Sequence, residues 1–246
     1  DEALHVLTSV GGPDHARQEA ADIEEAITHE DPSIALLFKP GMRLALMIGI
    51  VLAVLQQVTG INAVLYYAPE IFKSAGLGAT QAIAQTVIVG IVNLTFTIVA
   101  VLVVDRLGRK PLLLAGSACM GVSLLMLGGA FALGRLQGPW VLLFVLAYVA
   151  SFAVAMGPVV WVVLAEIFPT RIRGTAMSIA TVCLWIACFL VSQLFPWMLE
   201  RFAGKSFFLY AVMCVVAILF VAVAVPETKG KTLEEIERRW LGDQAI

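Results

Sequence analysis

Charge is scarce in this 246-residue chain: only 14% of residues are Asp, Glu, Lys or Arg against 60% that are hydrophobic, where a soluble domain carries about a quarter charged. The scarcity excludes an ordinary water-exposed surface. The net charge of −2 leaves no basic face for nucleic acid. Histidine is absent from every long apolar stretch, because His5, His15 and His29 all precede the first. A zinc centre or a His-dependent intramembrane protease therefore has no ligands or base at depth. The four cysteines, Cys119, Cys183, Cys188 and Cys214, show no CxxC or Cys/His spacing, which reads as small packed hydrophobes and not as disulfide or metal chemistry. No buried nucleophile and base stand at workable spacing either, so the expectation is a protein that is not an enzyme and takes no cofactor or metal. No initiator Met and no signal peptide open the chain, and the expectation drawn from this is a piece of a longer protein.

What is present is six apolar runs, roughly Met42 to Phe72, Ala82 to Val104, Leu112 to Leu133, Trp140 to Ala165, Thr175 to Leu199 and Phe207 to Val225. Each is near the ~20 residues that a helix needs to cross hydrocarbon. Backbone groups cannot stay unpaired in lipid, so each run is expected to be helical. Pro111, Pro139, Pro169 and Pro226 mark the ends of runs, where a missing N–H starts or stops a helix. The reading is an all-α membrane protein in three parts: a cytoplasmic amphipathic helical linker over 1–38, a six-helix membrane region over 39–226, and a cytoplasmic tail over 227–246. With the N-terminal segment placed inside, twelve of the sixteen Lys and Arg residues fall on the inner side, which puts both termini in the cytoplasm.

The six runs divide into two triples, and the first run of each is interrupted. Gly60 stands among Gln56, Gln57, Thr59 and Asn62 in the first, and Gly157-Pro158 interrupts the fourth. Matched interruptions in two repeats point to a transporter binding site, since unwound backbone at depth must line a cavity or lie within protein. The informative polar groups inside the runs are amides and aromatics. Gln56, Gln57, Asn62 and Asn93 can each donate and accept hydrogen bonds, and Trp161 and Trp185 offer flat apolar faces with one N–H each. A sugar ring presents hydroxyls around an apolar face and asks for such groups. An ion path or proton relay would ask for carboxylates or His at mid-depth, and a channel would show a repeated pore loop or rings of charge. A lone Asn such as Asn93 could equally serve an interhelical bond of about 0.6 kcal/mol.

Four strings, QQVTGINAVLYYAPEIF (56–72), GIVNLTFTIVAVLVVDRLGRK (90–110), GPVVWVVLAEIFPTRIRG (157–174) and VPETKGKTLEEIE (225–237), resemble the sugar porter family of the major facilitator superfamily. The resemblance covers essentially the whole chain. It implies the C-terminal half of a twelve-helix fold, built as two inverted three-helix repeats, working by alternating access on a hexose or pentose. The partners it implies are the monosaccharide, the lipid bilayer, a missing N-terminal six-helix half and, in symporters, a proton. The plasma (inner) membrane is the implied location. A six-helix channel or scaffold without sugar transport is the competing reading. On matching positions the resemblance makes Gln56, Gln57, Asn62, Asn93, Phe152, Gly157, Trp161 and Trp185 the substrate-binding set, and Tyr66 and Tyr67 an extracellular gate. Asp105, Arg106, Arg109, Glu166, Arg173 and Glu227 become an intracellular charge network that links the halves. The chain departs from the family pattern at Ala153, Leu184 and Cys188, where glucose facilitators or other members carry polar residues, so the resemblance implies a sugar without naming it.

Overall fold

A computed structural model describes residues 8, 12, 13, 16, 37–136, 139–231, 235, 236 and 240. The expected helices of the 1–38 linker fall almost wholly outside the described residues. Between residues 40 and 224 the described residues form nine α-helices in order: α1 (Pro40–Val58), α2 (Ile61–Tyr66), α3 (Ala68–Ser74), α4 (Ala79–Leu107), α5 (Arg109–Ala132), α6 (Trp140–Val154), α7 (Met156–Ile167), α8 (Thr170–Phe202) and α9 (Ser206–Ala224). They make six spans long and apolar enough to cross a membrane, with α1 and α2 forming the first and α6 and α7 the fourth. Their apolar composition makes this an integral membrane protein. The main packing runs from α9 onto α5, from α5 onto α6, from α6 onto α4, and from α1 onto α8. Apolar side chains such as Ile83, Val87, Leu94 and Leu102 remain exposed along α4, as lipid in place of water allows.

Both expected interruptions are present, and each has a local cause. The first falls at Thr59-Gly60, where Gly60 adopts a left-handed φ of 96° that glycine enters without steric cost. A Cβ there would also stand 2.7 Å from the Tyr210 ring. The fourth span breaks at Ala155, with φ −118° and ψ −86°, rather than at Gly157-Pro158. Those two residues instead occupy the first turn of α7, where proline's missing N–H has no intrahelical role. Pro111 likewise sits in the first turn of α5 rather than ahead of it, and α8 continues through Pro196.

Proline inside α8 leaves an acceptor without its donor, because residue 196 should have bonded the Ser192 carbonyl. The Tyr67 hydroxyl supplies the missing bond at 3.1 Å, and its ring packs on Phe195 with centroids 5.4 Å apart. At the first break the buried Tyr148 donates to the Thr59 carbonyl at 3.0 Å. Such cross-span donors answer the requirement that buried backbone be satisfied where water is absent.

Candidate functional site

The break after α1 places three amides in a head-to-tail row. Asn62 Nδ2 donates to Gln57 Oε1 at 2.6 Å, and Gln57 Nε2 donates to Gln56 Oε1 at 3.1 Å. Gln56 Nε2 in turn donates to the main-chain carbonyls of Met156 at 2.7 Å and Gly157 at 3.0 Å. The row therefore runs from the first interrupted span directly onto the break in the fourth. Asn62 also reaches Cys188 Sγ on α8 at 3.0 Å. The two glutamines are buried, at 3% and 5% exposure, while Asn62 is half-buried. The Phe152 ring lies over Gly157, where a Cβ would meet it at 3.2 Å, so glycine at 157 is what allows the ring this close.

Of the residues expected to line a site, the structure thus joins Gln56, Gln57, Asn62, Phe152 and Gly157. Trp161 follows one helical turn after Gly157 and keeps 36% of its surface open. Trp185 lies on the exposed side of α8, whereas the departures Leu184 and Cys188 are on the buried side and Ala153 is buried in α6. Asn93 is half-buried on α4, and its side chain has no hydrogen-bond partner among the described residues. Tyr66 and Tyr67 diverge: Tyr66, one turn beyond Asn62 on α2, is 56% exposed, whereas Tyr67 is held against α8 as described above. Both border an open cavity of about 520 Å³ whose rim includes Glu70, Lys73, Pro196 and Glu200. Sequence reasoning missed Tyr148 and Thr228, since neither an aromatic in an apolar run nor a threonine in a tail carries a signal of its own.

At the other end of the bundle, Arg109 opens α5. Its Nε lies 3.1 and 3.2 Å from the two Glu166 oxygens and its Nη2 2.8 Å from one of them. Asp105, one helical turn earlier, pairs with the same Nη2 at 3.0 Å but is 79% exposed. The Thr228 hydroxyl donates to Glu166 from the tail. Glu227 plays a different part from the expected ion pairing. Its carboxylate accepts the main-chain N–H groups of Arg109 and Lys110 at 3.1 and 3.0 Å, together with those of Thr228 and Lys229. The first turn of a helix has N–H groups without internal partners and a positive dipole end, and the Gly108 N-cap has no side chain to meet them. Burial acts to raise the Glu227 pKa, but the four backbone bonds outweigh it and hold the carboxyl below its ordinary value. Gly108 itself has φ 90°, and a Cβ there would lie 3.0 Å from Glu227.

Arg106 and Arg173 do not join this cluster. Among the described residues Arg106 contributes its carbonyl, to Lys229 Nζ at 2.6 Å. Arg173 turns back onto the Phe168 carbonyl and the Thr170 hydroxyl, both at 3.4 Å. These bonds join the inner ends of α4, α5 and α7 to the segment that follows α9.

The model of the sugar (and other) transporter family matches residues 1–240. An arabinose-proton symporter of Bacillus subtilis (strain 168) is 42% identical over 243 residues, covering 98% of this chain and 52% of that protein. The glucose facilitated diffusion protein of Zymomonas mobilis is 44% identical over 217 residues, covering 85% of this chain and 46% of its own length. A solved structure of a proton:xylose symporter bound to 6-bromo-6-deoxy-D-glucose superposes with a TM-score of 0.79 at 43% identity, over 96% of this chain and 51% of that one. The chain spans about half the length of the relatives it matches.

Proposed function

The chain belongs to the sugar (and other) transporter family, and on that premise we propose that it forms one six-helix half of a monosaccharide carrier working by alternating access. The observation that carries the reading is the amide row, which lies where two interrupted spans meet. Amides are suited to neighbouring hydroxyls because each presents a donor and an acceptor a fixed distance apart. In this reading Gln57 and Asn62 hold hydroxyls, Trp161 packs on the sugar ring, and Asn93 and Trp185 face the sugar from α4 and α8. Phe152 and Gly157 shape the wall, and Tyr66 closes over it from the outer side. The matching second half supplies the opposite wall, and the inner plasma membrane, with both termini cytoplasmic, is the location.

The relatives' names include proton symporters and a facilitated diffusion protein, so hexose and pentose are both within the proposed class. No Asp, Glu or His lies near the middle of any of the six spans; a coupled proton would be carried by the other half. The inner cluster around Arg109 and Glu166 keeps the cytoplasmic ends of α5 and α7 and the tail together as one body, which lets the half rock as a unit.

The test is uptake into liposomes. The protein expressed from its native reading frame and residues 1–246 alone are each reconstituted and supplied with labelled D-xylose, L-arabinose and D-glucose, with and without an inward proton gradient. The reading expects saturable, competable uptake of at least one sugar by the former and none by the latter. Saturable uptake by residues 1–246 alone would remove the need for a second half, and non-saturable flux would favour a channel.

A further inference from the structure

A carboxamide has two N–H donors and an oxygen with two acceptor positions, and in Gln56 both donors and one of those positions are engaged. Both donors go to the carbonyls of Met156 and Gly157, at 2.7 and 3.0 Å, and the oxygen receives Gln57 Nε2 at 3.1 Å. Gln57 keeps one N–H free, and Asn62 keeps its whole carbonyl oxygen free. The two carbonyls bound by Gln56 belong to the first two residues of α7, immediately after the irregular Ala155. Ala155 joins the preceding helix by a short-range bond from its N–H to Phe152 at 3.1 Å and opens α7 by accepting the Val159 N–H at 3.0 Å.

From this valence count we propose that Gln56 is a positioning residue that clamps the start of α7 to α1 in the absence of sugar, and that sugar binding releases the clamp. The proposal rests on the sugar-carrier reading above. A hydroxyl oxygen that takes a donor from Gln56 must displace Met156 or Gly157 as acceptor, so one amide is shared between substrate and helix break. Gln57 and Asn62 bind first through their free valences. Gln56 then exchanges a backbone carbonyl for the substrate, and the angle at Ala155 becomes free to change. Substrate contact and the bending of the fourth span are thereby coupled at one side chain. Uniformly tight binding could not drive a conformational change; a difference in contacts between the two states can.

Hydrogen exchange with mass spectrometry tests this without introduced labels, on the protein from its native reading frame in lipid nanodiscs. In sugar-free protein, Gln56→Met keeps the side-chain length and removes both donors. The amides of residues 154–162 should then exchange about tenfold faster, the factor expected for loss of one to two neutral bonds, with exchange elsewhere and the melting temperature near the parent's. In the parent protein, saturating D-xylose or whichever sugar binds should speed exchange in the same segment and have no further effect there in Gln56→Met. Asn93→Ala, which lies outside the row, should alter sugar affinity and leave sugar-free exchange at 154–162 unchanged. Parent-like exchange in Gln56→Met, with only affinity lost, would make Gln56 an ordinary ligand and overturn the proposal. So would slower exchange at 154–162 when sugar binds the parent. If no sugar binds the parent, the carrier reading fails separately, while the sugar-free comparison still decides whether the clamp exists.

Discussion

Glu166→Gln separates a structural ion pair from ordinary loop charge. The Arg109 side chain is 11% exposed and Glu166 25% exposed, and they meet through two guanidinium nitrogens. Removing one member of a fully buried pair costs about 3–5 kcal/mol, whereas exposed pairs contribute about 0–1 kcal/mol. Three features place Glu166→Gln between these limits. The carboxylate is a quarter exposed, Asp105 remains beside the guanidinium, and the new amide oxygen still accepts from Arg109 or Thr228. The expected loss is about 1–3 kcal/mol. Asp105→Asn, at a carboxylate 79% exposed, should cost about 0.5 kcal/mol or less. Reversible denaturation in mixed micelles measures each change, and a cycle with Arg109→Gln isolates the pair. Coupling near 1 kcal/mol or more is expected for Glu166, with much less for Asp105. Equal effects from the two carboxylates, or a Glu166 coupling under about 0.5 kcal/mol, would refute the assignment of Arg109 to Glu166 and leave the cluster as unpaired loop charge.

Three further outcomes follow from the geometry. Gly60→Ala should destabilise by about 2 kcal/mol or more, because it forces a side chain into φ 96° and against the Tyr210 ring; parent-like stability on thermal denaturation would contradict the described break. The carboxyl of Glu227 is held below its ordinary pKa of 4.5, so its contribution is complete above that value and is lost as pH falls through the lower folded value. A stability–pH profile should accordingly be flatter on the acid side for Glu227→Gln than for the parent, and coincident slopes would argue against the cap. Gln57→Ala and Asn62→Ala should each weaken sugar binding by a few-fold to about tenfold, as loss of a neutral bond implies, and unchanged affinity in both by calorimetry would place the site elsewhere.

The spans were readable because lipid imposes one rule, that apolar runs of sufficient length be helical, and their ends carried proline or glycine. The first break was legible at Gly60 for the same reason. The fourth was displaced to Ala155, because Gly-Pro reads as an interruption in a string but serves in three dimensions as the first turn of a new helix. Gln56, Gln57 and Asn62 could be picked out as polar residues at depth. Their head-to-tail order, and the fact that Gln56 spends both donors on backbone 100 and 101 positions away, depend on how α1 meets α7. The same limit applies to Glu227. Its acidity suggested ion pairing, but chain geometry brings it to the bare helix end at Gly108, where backbone N–H groups are the partners.

These irregularities share one physical logic. At each broken or kinked stretch a side chain from another part of the bundle donates to main-chain carbonyls: Tyr148 to Thr59, Tyr67 to Ser192, and Gln56 to Met156 and Gly157. The hydroxyls of the two tyrosines can be replaced only by another donor aimed at the same oxygen, so these joints are fixed parts of the bundle. A sugar presents both donors and acceptors, and among these three only the amide of Gln56 is joined through Gln57 and Asn62 to groups with free valences. Of the three joints, it is therefore the one that a polyhydroxylated substrate is chemically equipped to reopen. An irregular backbone held by an exchangeable amide can be stable when empty and still yield to substrate, whereas one held by packing alone would lack that second property.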